Sequence, residues 1–138
     1  VGADLGPCNG YEPFHRFQPD RDTTTVQSTD VLLVPGGLSS VVLMHRADVV
    51  AWMAATAAVS RYVLAISTGS QLVAAAGLLN DENASGHWLA AEYLEESGTH
   101  LSTDAVTWSG HVITTAGPAA AVDVAKLLPE RILYGPAA

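Results

Sequence analysis

Two apolar runs, each closed by turn-forming residues, stand out in the hydrophobic pattern of this chain. The first is DVLLVPGG (30–37), and the second is YVLAI (62–66), which continues directly into STGSQLVAAAGLL. Apolar runs of four or five residues without polar alternation are typical of strands buried on both faces of a parallel sheet. The pattern therefore predicts two parallel strands, with a sharp corner at Ser67 where the second strand ends.

The segments that follow these strands predict helices. They are RADVVAWMAATAAVS (46–60), TGSQLVAAAG (68–77), HWLAAEYLEESG (87–98) and AAAVDVAKLL (119–128). Gly77 is suited to a C-terminal cap, and Pro118 to the first position of the last helix. AVTWSGHVITT (105–115) predicts two short strands around a Ser-Gly turn.

Residues 1–29 are rich in glycine and proline and predict loops, with only FHRF (14–17) extended. The later alternation of strands and helices predicts a single α/β domain over residues 1–138 with a mostly parallel sheet. In such sheets ligands bind at the carboxyl ends of the strands. The corners after residues 34 and 66 are therefore the expected place for a site.

Composition narrows the classes of partner. Hydrophobic residues make up 49% of the chain and charged residues 14%, which favours a buried core over disorder. The net charge of -8, with scattered arginines, argues against nucleic acid. The single cysteine, Cys8, excludes an internal disulfide and fits a reducing cytoplasm. No apolar run of membrane-spanning length and no leader segment is seen, so no membrane partner is expected.

Ser67 is the first candidate for chemistry. A corner between a strand and a helix projects its side chain out of the sheet, and the free N–H groups of the helix end favour negative charge beside it. The backbone of Gly36 and Gly37 could supply further N–H groups for an oxyanion. His87 could act as a base or orient a substrate. Together with Thr68, Gly69 and Trp88, these residues form the predicted site.

Each of these residues also has a structural interpretation. Serine is a good helix N-cap, two glycines after a strand are commonly a turn, and a histidine beside a tryptophan is commonly packed and hydrogen-bonded. No carboxylate has the spacing of a Ser-His-Asp set, and no histidines have metal-ligand spacing. We expect no metal and no cofactor, because no phosphate-cradling glycine loop is present.

Five segments, in order, resemble the ThiJ/PfpI superfamily, which has a glutamine-amidotransferase-like, flavodoxin-type fold. They are DVLLVPGG, ISTGSQLVAAAGLL, ASGHW, HVITTAGPAAAVDVA and RILYGP, spanning residues 30–136. The nearest branch is the isocyanide hydratase-like proteins, with the related sensor domains of AraC-type regulators. The resemblance implies a three-layer sandwich and a site at the corner occupied by Ser67.

The sequence departs from the family in two respects. The family motif at the corner is Cys-Thr-Gly, whereas Ser67, Thr68 and Gly69 stand here, so thiolate chemistry is unavailable. Family members also open with a strand, a helix and a second strand, and an acidic residue after the first strand approaches the nucleophile. VGADLGP (1–7) resembles the end of the second of those strands. The first strand, the helix and the acid therefore have no counterpart here.

Without its first strand, the sheet would leave an unpaired edge and an open groove. Another chain could supply the missing elements, the chain could be part of a longer product, or the fold could have rearranged. We expect a homodimer or a second chain that completes the sheet.

Three functions follow from the resemblance. The first is a small-molecule enzyme like isocyanide hydratase, with Ser67 as nucleophile or proton relay, and the second is a ligand-binding or sensory domain that has lost catalysis. The third is a biosynthetic enzyme that uses the same pocket for a different reaction. The sequence does not identify the substrate.

Overall fold

A central sheet of four strands organises the molecule. The structure, a computed structural model, describes residues 1–3, 6–9 and 16–135. The strands are β3 (Val31–Val34), β4 (Tyr62–Ile66), β7 (Val106–Ser109) and β8 (Val112–Thr115), in the order β3-β4-β8-β7. β3, β4 and β8 run parallel, and β7 is antiparallel to β8. The predicted α/β class with a mostly parallel sheet is confirmed.

The two faces of the sheet are covered by different helices. One face carries Leu32, Val34, Val63, Ala65 and Val112, which pack in one core cluster with apolar residues of α2 (Ala47–Val59) and α3 (Gly69–Ala75). The opposite face carries Leu64 and Ile113, which pack against Val124 and Leu128 of α5 (Pro118–Tyr134). The alternation of side chains along each strand thus builds two separate cores.

The helices follow the predicted segments, with three differences. α1 (Ser39–Leu43) is an additional short helix directly after the Pro-Gly-Gly turn. The segment HWLAAEYLEESG divides into a 3-10 turn (Trp88–Ala90) and α4 (Ala91–Glu96). α5 continues to Tyr134 although Pro129 lies inside it. Gly77, with φ of 77°, follows the end of α3 as the sequence predicts.

The remaining strands are short. β1 (Cys8–Asn9) pairs with β2 (Arg16–Phe17), which contains the described part of FHRF, and β5 (Asn83–Ala84) pairs in parallel with β6 (His100–Leu101). Near the start of the chain Gly2 forms an isolated bridge with Asp22. Parts of three predictions lie outside the described residues, namely the loop at 4–5 and 10–13, the first half of FHRF, and Pro136 of RILYGP. Within the described ranges, every helix is too short or too polar to cross a membrane.

Candidate functional site

Ser67 lies at the corner between β4 and α3 with a left-handed backbone. Its φ is 59°, a conformation that residues other than glycine adopt at a cost. Its N–H donates to the carbonyl of Thr115 (2.9 Å), and its carbonyl accepts from the hydroxyl of Ser70 (2.9 Å). The Ser67 hydroxyl itself makes no hydrogen bond to any residue that the structure describes. The backbone is therefore fixed on both sides while the side chain remains free to react or to bind.

Thr68, and not Ser67, is the residue that precedes the helix, and neither side chain caps α3. Instead the Thr68 hydroxyl accepts a hydrogen bond from the N–H of Gly37 (2.9 Å) and lies 3.3 Å from the Gly37 carbonyl. The Gly37 N–H is thus already satisfied by a side chain. An oxyanion could use it only by displacing the Thr68 hydroxyl. The Thr68 N–H, at the start of α3, is therefore a better-placed donor than the Gly37 N–H.

Two glycines allow the corners after β3 and β4 to approach closely. A Cβ on Gly36 would lie 2.8 Å from the Ile66 carbonyl oxygen and 3.0 Å from the Ser67 Cβ. A Cβ on Gly69 would collide with the carbonyls of Val34 and Pro35. Glycine is needed at both positions because the space is filled by backbone. These contacts bring Gly36, Ser67, Thr68 and Gly69 together as the sequence predicts.

His87 caps the 3-10 turn with its ring. Nδ1 accepts a hydrogen bond from the N–H of Leu89 (3.2 Å), and the ring lies tilted against Trp88 with centroids 5.4 Å apart. A neutral imidazole that accepts at Nδ1 carries its proton on Nε2. In this tautomer the Nδ1 lone pair is used by Leu89, and the Nε2–H is left to donate a hydrogen bond.

The structure connects the His87 segment to the corner indirectly. Gly86 packs against Ser70, since a Cβ on Gly86 would lie 2.9 Å from the Ser70 Oγ, and that hydroxyl bonds the Ser67 carbonyl. Among the described residues, no hydrogen bond joins Ser67 to His87 or to an acidic side chain. Trp88 is 76% exposed and thus offers an uncovered aromatic surface.

Ser70, Gln71 and Gly86 were not predicted as parts of this region. Gln71 lies one helical turn after Ser67 and is buried, and its Oε1 has no hydrogen-bond partner among the described residues. Only a buried polar residue in an otherwise apolar helix, visible as Gln71 within QLVAAA, could have drawn attention to it. The contact of Gly86 with Ser70 joins residues distant in sequence, and no local pattern indicates it.

An apolar cavity of about 320 Å³ begins beside the corner. Gly36, Ser40 and Leu72 line it at this end, and it continues along β3 between that strand and α2. Ser67 itself does not line the cavity. Gly36 does, and Gly36 also packs against the Ser67 Cβ. The site thus has an apolar space next to a free hydroxyl.

Two carboxyl groups of the described residues have shifted pKa values, and both lie outside the corner. The pKa of Asp22 is lowered, chiefly by the hydrogen bond from the Thr24 hydroxyl (2.6 Å), and the pKa of Asp48 is lowered chiefly by the hydrogen bond from Arg46. Neither carboxylate bonds a residue of the corner. In the described ranges, His, Cys, Asp and Glu side chains nowhere form a group of three that could hold a metal ion.

Comparisons with known proteins agree on one family. The model of the DJ-1/PfpI family matches residues 1–131. An isonitrile hydratase from Pseudomonas putida is 33% identical over 116 residues, which are 82% of this chain and 51% of that protein. This chain therefore spans about half the length of that curated relative.

Solved structures show the same fold. A ThiJ/PfpI family protein from Pseudomonas syringae is 26% identical with a TM-score of 0.82, over 99% of this chain and 62% of its own. A two-domain protein from Anabaena variabilis, with DJ-1/ThiJ/PfpI-like and ferritin-like domains, has a TM-score of 0.86 at 20% identity, covering 98% of this chain and 40% of that one. A transcriptional regulator protein from Vibrio parahaemolyticus, itself described as putative, has a TM-score of 0.79 at 23% identity, over 93% and 72%. The predicted flavodoxin-like fold is confirmed.

Proposed function

The chain belongs to the DJ-1/PfpI family, and we propose that it is a small-molecule enzyme resembling isonitrile hydratase, with chemistry at Ser67. The observation that carries the proposal is the Ser67 corner. The residue is held with φ of 59°, its backbone is bonded on both sides, and its hydroxyl is unengaged among the described residues. A nucleophile presented on such a strand-to-helix turn is the arrangement that several hydrolase-like folds use.

The proposed reaction is the hydration of an isocyanide to a formamide. The Ser67 proton moves to the terminal isocyanide carbon and Oγ adds to that carbon, which gives a formimidate ester. Water then adds across the carbon–nitrogen double bond, with its oxygen on that carbon and one proton on the nitrogen. The Ser67 Oγ leaves with the remaining water proton as the formamide forms. Atoms and charges balance without an oxidant, a reductant or a metal.

The neighbouring residues supply binding and orientation. The Thr68 N–H, at the start of α3, is available to stabilise negative charge that develops on the substrate. We assign the Nε2–H of His87 to orienting the substrate, and Trp88 with the glycines at 36, 37 and 69 to binding it. The cavity next to Gly36 fits an apolar substituent of the substrate.

The leading alternative is a ligand-binding or sensory domain. It is favoured by one observation, namely that no base or acid is hydrogen-bonded to Ser67 within the described part of the chain. A serine hydroxyl ionises poorly and normally needs such a base. A neutral hydroxyl at this corner would still bind a polar ligand. A biosynthetic enzyme with another reaction in the same pocket is the third candidate.

The test is conversion of a simple isocyanide to its formamide by the wild type, Ser67→Ala and Ser67→Cys at equal concentration. Ser28→Ala is the matched control, since Ser28 is exposed and distant in sequence from the corner. We expect turnover by the wild type and by Ser28→Ala, and loss of at least about a hundredfold in Ser67→Ala. If the wild type does not convert the isocyanide but Ser67→Cys does, the pocket is intact and the natural protein does not perform this reaction. Absence of turnover by the wild type and by every variant would favour the ligand-binding domain.

We further propose that the protein acts in the cytoplasm and as an assembly. The single cysteine supports a reducing compartment. Among the described residues the outer edge of β3 is unpaired, which supports a partner, either another copy of this chain or a different chain, that completes the sheet.

A further inference from the structure

A surface pocket lies at the opposite end of the central sheet from the Ser67 corner. Its volume is about 350 Å³. The residues that line it are Arg61, Tyr62, Gly110, His111 and Arg131. Tyr62 is the first residue of β4, whereas Ser67 follows the last, and a strand of this length spans about 16 Å. The pocket is therefore separate from the candidate site.

Positive charge is concentrated in this pocket. The chain has 6 lysines and arginines against 14 acidic residues. Arg61 and Arg131 both line the pocket, and His111 adds an imidazole that is cationic when protonated. The local charge is thus opposite in sign to the net charge of -8, and it favours the entry of an anion.

Contacts within the chain orient both guanidinium groups. The Nη2 of Arg61 donates to the Ile132 carbonyl (2.8 Å), near the end of α5. The Arg131 guanidinium lies over the Trp108 ring, with its Cζ 4.1 Å from the ring centroid, in a cation–π contact. A guanidinium has five N–H donors, and these contacts occupy one of Arg61 and none of Arg131. Groups that are oriented in advance lose less conformational entropy when a ligand binds.

Neither guanidinium has a carboxylate partner among the described residues. Arg46 and Lys126, by contrast, each form an ion pair with an aspartate two or three residues away. The acidic residues nearest to the pocket arginines along the backbone are Asp30 and Glu130. Both are exposed, and within the described part of the chain neither forms an ion pair with them. Like charges that line one pocket repel each other, and a bound anion relieves that repulsion.

The pair of arginines favours a phosphate group over a carboxylate. A guanidinium presents parallel N–H groups that match two oxygens of either anion. A phosphate monoester has a charge of about -1.5 to -2 at pH 7 and three terminal oxygens, so it can engage both arginines at once. A carboxylate has two oxygens and a single charge. Tyr62, packed edge-on against Trp108 with centroids 6.3 Å apart, adds an aromatic wall for the organic part of the ester.

We propose that this pocket binds a small phosphate monoester, with Arg61 and Arg131 holding the phosphate and Tyr62 contacting the organic group. His111, whose Nε2 lies 3.3 Å from the Ala57 carbonyl, forms a further side of the pocket. A volume of about 350 Å³ is suited to a small ligand. The site does not depend on the isocyanide chemistry proposed at Ser67.

Calorimetric titration with phenyl phosphate at low ionic strength tests the site. Benzoate has a similar ring with a carboxylate, and inorganic phosphate has the same anion without a ring. We expect saturable binding of phenyl phosphate to one site, and binding of each comparison compound that is weaker by at least about tenfold. In nuclear magnetic resonance spectra of the wild type, phenyl phosphate should shift the amide signals of Gly110 and His111 and leave those of Gly36 and Gly69 unchanged.

Two variants test the arginines. Arg61→Gln removes one charge, whereas Arg131→Lys keeps the charge over Trp108 and removes the fork of N–H donors. Each should weaken the binding of phenyl phosphate by at least about tenfold. Arg46→Gln is the matched control, because it changes the net charge by the same amount as Arg61→Gln and Arg46 does not line the pocket. It should bind phenyl phosphate like the wild type.

Several results would overturn the proposal. No saturable binding up to millimolar phenyl phosphate would exclude the site. Equal binding of inorganic phosphate or of benzoate would contradict the assigned ligand class. An equal loss in Arg46→Gln and Arg61→Gln would reduce the binding to attraction by overall charge, and wild-type affinity in both pocket variants would place the ligand elsewhere. Isocyanide turnover enters none of these measurements, so the two proposals can fail separately.

Discussion

At the scale of single residues, backbone contacts decide the geometry of the candidate site. Gly36 lies against the Ile66 carbonyl and the Ser67 Cβ, and Gly69 lies against the carbonyls of Val34 and Pro35. The sequence shows these glycines beside the two strand ends. It does not show that they face each other, because that contact depends on the pairing of β3 with β4.

Alanine at either glycine should destabilise the protein. At both positions the added Cβ meets backbone that must shift, and overpacking of this kind costs about 1–3 kcal/mol. Gly117→Ala is the control, because a Cβ there meets nothing within 4 Å and the φ of -175° is extended. Urea denaturation should give a lower free energy of unfolding for Gly36→Ala and Gly69→Ala but not for Gly117→Ala. Equal stability of all three would contradict the close approach.

The Thr68–Gly37 hydrogen bond is a second residue-scale feature with a measurable effect. Thr68→Val keeps the shape of the side chain and leaves the Gly37 N–H without its acceptor, which should cost about 1–3 kcal/mol of unfolding free energy. Thr103→Val, at an exposed position, serves as the control in the same denaturation experiment. An unchanged Thr68→Val would mean that water replaces the hydroxyl at no cost.

Asp22 should make stability depend on pH. Its carboxylate accepts from the Thr24 N–H (3.0 Å), the Thr24 hydroxyl and the Thr25 N–H (3.1 Å), and the hydroxyl bond is the main cause of its lowered pKa. Because the pKa of Asp22 is lower in the folded than in the unfolded state, its ionisation stabilises the fold at pH values above the unfolded pKa of 3.8. This stability is lost as the pH falls from that value through the folded pKa. Thermal melts from pH 6 to 2.5 should show a shallower acid loss for Asp22→Asn than for the wild type. Acid loss of equal slope in Asp22→Asn and in the wild type would refute the assignment.

At the scale of elements, the sequence predicted the regular parts well and the short ones poorly. β4 occupies the predicted residues 62–66, and β7 and β8 form the predicted hairpin, because apolar runs and a Ser-Gly turn are strong local signals. α1 (Ser39–Leu43) was not predicted. Its apolar residues Val41 and Val42 are exposed, so no amphipathic pattern marks it as a helix.

α5 carries an internal proline whose removal should stabilise it. Pro129 lacks the N–H that would bond the Ala125 carbonyl, and proline is about 3 kcal/mol less favourable than alanine inside a helix. Because proline also restricts the unfolded chain by about 0.4–1 kcal/mol, Pro129→Ala should gain about 2–2.6 kcal/mol. Pro118→Ala, at the first helical position, should change little. Chemical denaturation of the two variants measures both changes in the free energy of unfolding. A destabilised Pro129→Ala would show that packing of the proline ring outweighs the missing backbone hydrogen bond.

At the scale of the whole molecule, the sheet is covered unequally. α5 covers β4 and β8 on one face, while Leu33 of β3 is exposed and the outer edge of β3 is unpaired among the residues that the structure describes. The sequence indicated the unpaired edge only through the family resemblance. Composition and periodicity predict which strands a chain contains, and they do not show which strand of a family fold lacks a counterpart. The cavity between β3 and residues 1–3 is a tertiary feature, and Gly2 on its far side forms a bridge with Asp22.

The backbone conformation of Ser67 has a consequence for how this family can change. The corner is held by the Thr115 carbonyl, the Ser70 hydroxyl and the packing of Gly36, none of which involves the hydroxyl at position 67. The scaffold and the reactive group are therefore separable parts. Serine and cysteine codons can differ by a single nucleotide, so a lineage can exchange one chemistry for another at this corner without redesigning the fold around it.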